Sequence, residues 1–300
     1  MKKLIIVLIS IFCFVSCDNE VKKDPVEPAK AEINPLTLIP ADFQFVATVD
    51  MNRTMKIPGL SERLRYEAKR KPSLQIVPID SVKHLYLAAG SGAETEGKGG
   101  VFIAELKEKV ELEKVIDEYK KKFKKDKDVI VGKKEYKSKF IYTIRDEKQE
   151  LAVCQVAPDM LVSGPLDKVI SSLNAENNNI STSPLLKDLM KINAEDSVKI
   201  YLLSAENIGS ILQQLKFFDQ LVISGTPTEK GGKLSLKSIC QDKETAEKAK
   251  NALLLVQTIL MFNIGKHTAP EDLKVEVDNT VTTGIADLNA EALKSLFVKD

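Results

Sequence analysis

Asp42-Phe43-Gln44-Phe45-Val46-Ala47-Thr48-Val49-Asp50 sets Phe43, Phe45, Ala47 and Val49 at every second position between two carboxylates. A period of two marks a β-strand with one apolar face, so this stretch predicts a strand that needs a covering layer. Outward from it the pattern returns. Pro58-Gly59 precedes a short helical stretch from Leu60 to about Lys69. Val82 to Ala89 and Gly100 to Leu106 read as further strands, with the glycine-rich segment from Gly90 to Gly100 as the hairpin loop between them. From Val110 to Lys125 the period lengthens. Leu112, Val115, Ile116, Tyr119 and Phe123 fall on one stripe of a helix. Strands follow around Val129–Val131, Lys139–Ile144, Leu151–Val156 and Met160–Ser163. Pro165 then opens a helix with Leu166, Val169, Ile170 and Leu173 inward, proline being well tolerated in a first turn.

The second half reads in the same order. Val198 to Leu203 is a strand, Ile208 to Phe218 a helix and Leu221 to Gly225 a strand, and Gly231-Gly232 turns the chain into Lys233–Cys240. A helix from Thr245 to about Phe262 carries Ala246, Ala249, Leu253, Val256 and Leu260 as its apolar stripe. Leu273–Val277 and Val281–Ala286 form a hairpin around Asp278-Asn279, and Asn289 caps a last helix, Ala290–Phe297. Ser91-Gly92-Ala93-Glu94-Thr95-Glu96-Gly97 has its counterpart in Ser224-Gly225-Thr226-Pro227-Thr228-Glu229-Lys230. The predicted fold is therefore α+β: two tandem β-α-β-β-α-β-β-α units, with mainly antiparallel sheets covered by helices on one face. The asparagines from 174 to 179 and the Ser/Thr/Pro run to Pro184 mark the boundary, giving repeats over 37–178 and 179–300. Ser183 to Met190 reads as a linker helix or the first helix of the second repeat. With Ile39-Pro40-Ala41-Asp42 ahead of the first strand and Val162-Ser163-Gly164-Pro165 at a late strand-to-helix passage, this organisation resembles uncharacterised exported bacterial proteins with duplicated, ferredoxin-like α+β units. The resemblance implies a fold and carries no activity.

The N-terminus has a different grammar. Lys2-Lys3 precedes an uncharged apolar run from Leu4 to Val15, too short for the roughly 20 residues that span a bilayer and suited to a secretory signal. Phe14-Val15-Ser16-Cys17 ends it and resembles the lipobox of bacterial lipoproteins, with Phe14 where an aliphatic residue is usual. That resemblance implies cleavage after Ser16 and a covalent lipid on Cys17. It implies an exported protein of the cell envelope, tethered to a bacterial membrane. Residues 17–36, with Pro25, Pro28 and Pro35 among charges, read as an extended tether. Asp18, after the cysteine, resembles an inner-membrane retention signal of enteric bacteria, and other bacterial phyla read different residues there; the leaflet stays open.

Composition narrows the function classes. Loss of residues 1–16 removes Lys2 and Lys3 from 44 basic residues, which then nearly balance 43 acidic ones. A global nucleic-acid binder is excluded by that balance. His84 and His267 are the only histidines, and neither has a second histidine or a cysteine at metal-ligand spacing. No Gly-x-Ser-x-Gly elbow, Ser-x-x-Lys, phosphate loop or dinucleotide fingerprint occurs, so no catalytic motif, metal or cofactor is expected. On one strand His84 and Tyr86 share a face opposite Leu85 and Leu87, and Asp42 and Asp50 at the first strand's ends suit caps or turns. With Cys13 discarded and Cys17 lipidated, only Cys154 and Cys240 remain; they read as buried thiols, with a disulfide between them as the alternative. Ten lysines lie between 120 and 139 against Asp126, Asp128 and Glu135. Lys120, Lys121, Lys122, Lys124, Lys125, Lys127, Lys133 and Lys134 read either as a solvated helix end and hairpin or as a patch for anionic lipid or polysaccharide. The function expected is non-catalytic binding or assembly at the envelope, with solute or polymer binding between the halves as the alternative; a protein partner has no signature in the sequence.

Overall fold

The computed structural model describes residues 33–56, 65–66, 76–90, 100–123, 129–145, 150–191, 196–203, 220–228, 231–251 and 273–289. The leader, Cys17, the tether to residue 32, and the helices expected over 208–218 and 290–297 lie outside those residues. The first half supplies β1 (Phe43–Asp50), β2 (Val82–Gly90), β3 (Val101–Leu106), β4 (Ile130–Tyr136), β5 (Lys139–Arg145), β6 (Glu150–Ala157) and β7 (Met160–Gly164). The second supplies β8 (Val198–Leu202), β9 (Gln220–Thr228), β10 (Gly231–Ile239), β11 (Leu273–Asp278) and β12 (Val281–Asn289). Helices α1 (Met51–Thr54), α2 (Leu112–Lys122), α3 (Leu166–Leu173) and α4 (Pro184–Met190) sit between them, and a further helical stretch runs over 243–251.

Every strand joins one antiparallel sheet, in the order β11-β12-β10-β9-β8-β1-β2-β3-β7-β6-β5-β4. The expected sheets are thus a single sheet, because β1 pairs on both edges: Ala47 stands opposite Leu87 of β2 and opposite Ile200 of β8. From this seam the order runs β2, β3, β7, β6 on one side and β9, β10, β12, β11 on the other. In both arms the strand before the long helix is bordered by the last strand of a later hairpin. The eight-element formula omits one hairpin, β4–β5, which extends the first arm alone among the described residues.

The helices cover both faces, not the single face expected. α2 lays Leu112, Ile116 and Tyr119 on a core built from Ala47, Val49, Leu85, Leu87, Tyr142, Ile144, Val153 and Ile200. Val169 and Leu173 of α3 and Leu186 and Leu189 of α4 cover the reverse side, with Val46, Ala88, Val101, Ile103, Ile141, Cys154, Val162 and Tyr201. Alternate residues of the central strands feed alternate cores, as a period of two demands. Ala246 and Ala249 of the stretch 243–251 pack with Leu221 and Cys240 in a third cluster.

One residue of the opening stretch departs from its expected face. Phe45, Ala47 and Val49 face the α2 side, whereas Phe43 joins the opposite core with Val46. Between Phe43 and Phe45 the partner on β2 advances only from Gly90 to Ala89, so Gln44 forms a bulge that turns Phe43 over. The local ends follow simple chemistry. Asp50 Oδ1 accepts from Arg53 N at 3.2 Å and caps α1, the role its strand-end place suggested. Ser183 Oγ accepts from Leu186 N at 3.3 Å and starts α4, with Pro184 in its first turn. The start of α2 is held from another strand: Gln155 Oε1 accepts from Leu112 N at 3.1 Å while its Nε2 donates to Val110 O at 2.6 Å.

Gly164 has φ +153, and a Cβ there would meet Gly100 O at 2.8 Å. Both facts make Gly164→Ala a substitution against backbone rather than against a movable side chain. We expect it to lower the urea midpoint markedly, as Ile116→Ala should by about 2–5 kcal/mol through the cavity it leaves. Ile33→Ala, at a site 38 % exposed, should change stability by less than about 0.5 kcal/mol on the same curve.

Candidate functional site

Where α4 ends, the sheet face that it covers runs out of helix, and the exposed row turns polar. The register puts Thr48 between Lys199 of β8 and Tyr86 of β2, and Asp50 opposite His84, which in turn lies opposite Glu105 of β3. Met190 closes the upper rim, and Arg53, Asp196 and Ser197 close the lower one, around a groove of about 270 Å³ at the β1–β8 seam. Backbone bonds hold the rim: Asp50 N donates to Ser197 O at 2.7 Å, and Ser197 Oγ donates to Gly225 O at 3.1 Å.

The charged centre of this row is a three-group cluster. Lys83 Nζ donates to Glu105 Oε1 at 2.6 Å, and His84 Nδ1 lies 2.9 Å from Glu105 Oε2. Burial pushes the Glu105 carboxyl up, but the hydrogen bonds and charges of Lys83 and His84 outweigh it and hold the group below its ordinary value. Tyr86, behind the histidine with ring centroids 6.5 Å apart, is pushed up to about 12 by burial and by the Glu105 charge. Tyr201, fully buried on β8 beyond the lining, is likewise pushed up to about 12, by burial first, with the Thr48 hydroxyl opposing and the Asp196 charge adding to it. Both phenols stay neutral donors across the ordinary pH range. Arg53 Nε lies 3.5 Å from Asp50 Oδ2, so cations and carboxylates alternate along the groove. Such a lining suits a small polar molecule carrying both hydrogen-bond donors and acceptors. Among the described residues no group of three or more His, Cys, Asp and Glu side chains could hold a metal ion.

The sequence placed His84, Tyr86 and Asp50 but missed Glu105, Lys83, Lys199 and Tyr201. Glu105 lies 21 residues from His84 and becomes its neighbour only through the β2–β3 register. The lysine run is divided. Lys120, Lys121 and Lys122 form the last turn of α2, where Lys120 pairs with Asp117 at 3.3 Å, while Lys124, Lys125 and Lys127 lie outside the described residues. Lys133 and Lys134 stand on β4, and Lys133 Nζ donates to Glu113 Oε1 at 2.7 Å, so part of the excess charge is neutralised. The disulfide alternative is corrected. Cys154 and Cys240 lie in different cores with no disulfide joining them, β6 and the end of β10 having no common neighbour in the sheet. Burial pushes the Cys154 thiol up to about 11, with the Lys139 charge opposing, so it is a packing group.

No family model matches the chain, and no curated protein matches it. Among solved structures it is similar to crystal form III of TP0453, with a TM-score of 0.53 and 14 % identity over 89 % of this chain and 98 % of that one. Crystal form I of TP0453 gives a TM-score of 0.51 and 13 % identity over 89 % and 97 %. The likeness spans nearly the whole of that protein. At this identity it shows a shared α+β fold with a large antiparallel sheet. Among the described residues no helix is long and apolar enough to cross a membrane.

Because the folded-state value of Glu105 lies below its ordinary 4.5, the cluster stabilises the fold above that value and the effect fades as pH falls through the lower one. Glu105→Gln should therefore cost roughly 0.5–1 kcal/mol at pH 7, and the two proteins should converge in acid. Urea melts of both across pH check this, and a difference independent of pH would contradict it.

Proposed function

We propose that this chain is an exported lipoprotein, anchored through an acylated Cys17, that works at the cell envelope by binding rather than by catalysis. The observation that carries the reading is Phe14-Val15-Ser16-Cys17 directly after a dozen uncharged apolar residues and directly before a proline-punctuated polar tether. A thioether-linked diacylglyceryl group and an N-acyl chain supply the two signals that stable anchoring needs. In line with this, the described body has no helix able to cross a bilayer, and its cores are closed by its own helices. The two arms of the sheet, each a three-strand meander followed by a helix and a returning hairpin, support a duplication of one α+β unit. In that reading β4–β5 is an insertion in the first copy.

A second reading is favoured by one observation, the groove at the β1–β8 seam. If the body carries a solute, that groove is the place where both arms contribute to it: Thr48, His84 and Tyr86 from one, Ser197 and Lys199 from the other. The mixed charge points to a small polar molecule with both signs of charge rather than an apolar one.

Two experiments test these readings separately. In cells fed labelled palmitate, the wild-type chain should take up label and stay with membranes through a high-salt wash, and Cys17→Ser should take up no label; unlabelled wild-type protein would end the anchor reading. Native mass spectrometry of the purified chain should show a small polar adduct that Lys199→Glu weakens at least tenfold. An adduct unaffected by that change, or none in the wild type, would remove the groove reading.

A further inference from the structure

At the end of the first arm, β4 and β5 form a hairpin whose tip carries more than the lysines legible in the sequence. Tyr136 pairs with Lys139, leaving a two-residue loop, Lys137-Ser138, with φ of 47° and 60°. Positive φ at both central residues is the geometry that Asn-Gly adopts at least cost, and here a lysine and a serine adopt it. A turn held in this conformation puts the Lys137 side chain at the outermost point of the hairpin. On the two strands beside it lie Lys133, Lys134 and Lys139, with Glu135 among them and Glu113 of α2 paired to Lys133. Phe140, 47 % exposed, lies on the same strand pair, with Lys133 Nζ 3.9 Å from its ring centroid. Lys133 and Phe140 face α2, whose first-turn Glu113 pairs with Lys133 at 2.7 Å, and Lys134 stands on the other face of the hairpin, opposite Ile141.

From this placement we infer that the β4–β5 tip docks end-on against an anionic lipid bilayer, with Lys137 at the turn and Lys134 on one face of the hairpin meeting head-group phosphates and Phe140 on the other face entering the interfacial layer. Charge complementarity selects the occupant. Lysines at the turn and along both faces of a hairpin that also exposes one aromatic ring match a surface that is anionic outside and apolar beneath, whereas an acidic polysaccharide offers the charge without the apolar layer. The hairpin lies at one end of the sheet, far along the strand order from the seam, so docking leaves the seam groove open. The inference rests on the lipid-anchor reading, which keeps the body within reach of a bilayer, and it adds a second, reversible contact that fixes the body's orientation.

The chain contains no tryptophan, so Phe140→Trp introduces a single fluorophore at the tip. The full chain carrying Cys17→Ser and Phe140→Trp is mixed with vesicles of phosphatidylcholine alone or with phosphatidylglycerol added; the leader is common to every arm. The emission should shift to the blue with the anionic vesicles only and return in about 1 M salt, where the Debye length is about 3 Å. Adding Lys134→Glu and Lys137→Glu should lower vesicle affinity at least about tenfold, and the milder Lys137→Gln should lower it less, with unchanged circular dichroism. No shift on anionic vesicles, an equal shift on both vesicle types, or binding to an acidic polysaccharide but not to vesicles would each overturn the proposal. Because these chains carry no acyl group, such a failure leaves palmitate labelling of Cys17 standing, and a failure of labelling leaves the vesicle result standing.

Discussion

The antiparallel pairing of β1 with β8 is the contact on which the rest of the structure depends. It takes a strand whose two faces are both buried, with Val46 and Ala47 fully inaccessible, and satisfies its backbone on both edges. Without it, β1 and β8 would each be a long exposed edge rich in β-branched residues, open to pairing with another chain. With it, the sheet keeps only β4 and β11 as edges among the described residues. β4 carries Lys133 and Lys134, and β11 shows Lys274, Glu276 and Asp278 to solvent, charges that oppose edge-to-edge association.

The same pairing builds the polar groove. Two strands from one arm and one from the other bring Lys199, Thr48 and Tyr86 into a row, and the next row holds Asp50, His84 and Glu105. Strand spacing of about 4.8 Å makes such rows close enough for direct hydrogen bonds between side chains. Against burial, Lys83 and His84 hold the Glu105 carboxyl below its ordinary value, and burial first, with the Glu105 charge second, pushes Tyr86 up to about 12. Glu105 of β3 and Tyr86 of β2 thus influence each other across two strands.

How much of this was legible in the residues can be argued element by element. The alternation in β1, the stripe of α2 and the proline before α3 each state a local conformation, because a period of 2 or 3.6 fixes which side chains share a face within one element. Those readings agree with the structure except at Phe43, where a bulge at Gln44 breaks the period without a glycine or proline to announce it. The groove was half legible: His84 and Tyr86 share a strand and a face, while Glu105 and Lys199 reach them only through registers between strands distant in the chain.

The sequence alone determined the composition of each element, the polar, proline-punctuated stretch that follows Cys17, and the absence of known catalytic spacings. Tertiary structure alone decided that the halves form one sheet, that helices lie on both of its sides, and that the two thiols sit in separate cores. The reason is physical. Periodicity is written in side chains and acts within an element, whereas strand pairing is made by backbone amides that are the same for nearly every residue. Which strand meets which is settled only when all the apolar faces are buried together.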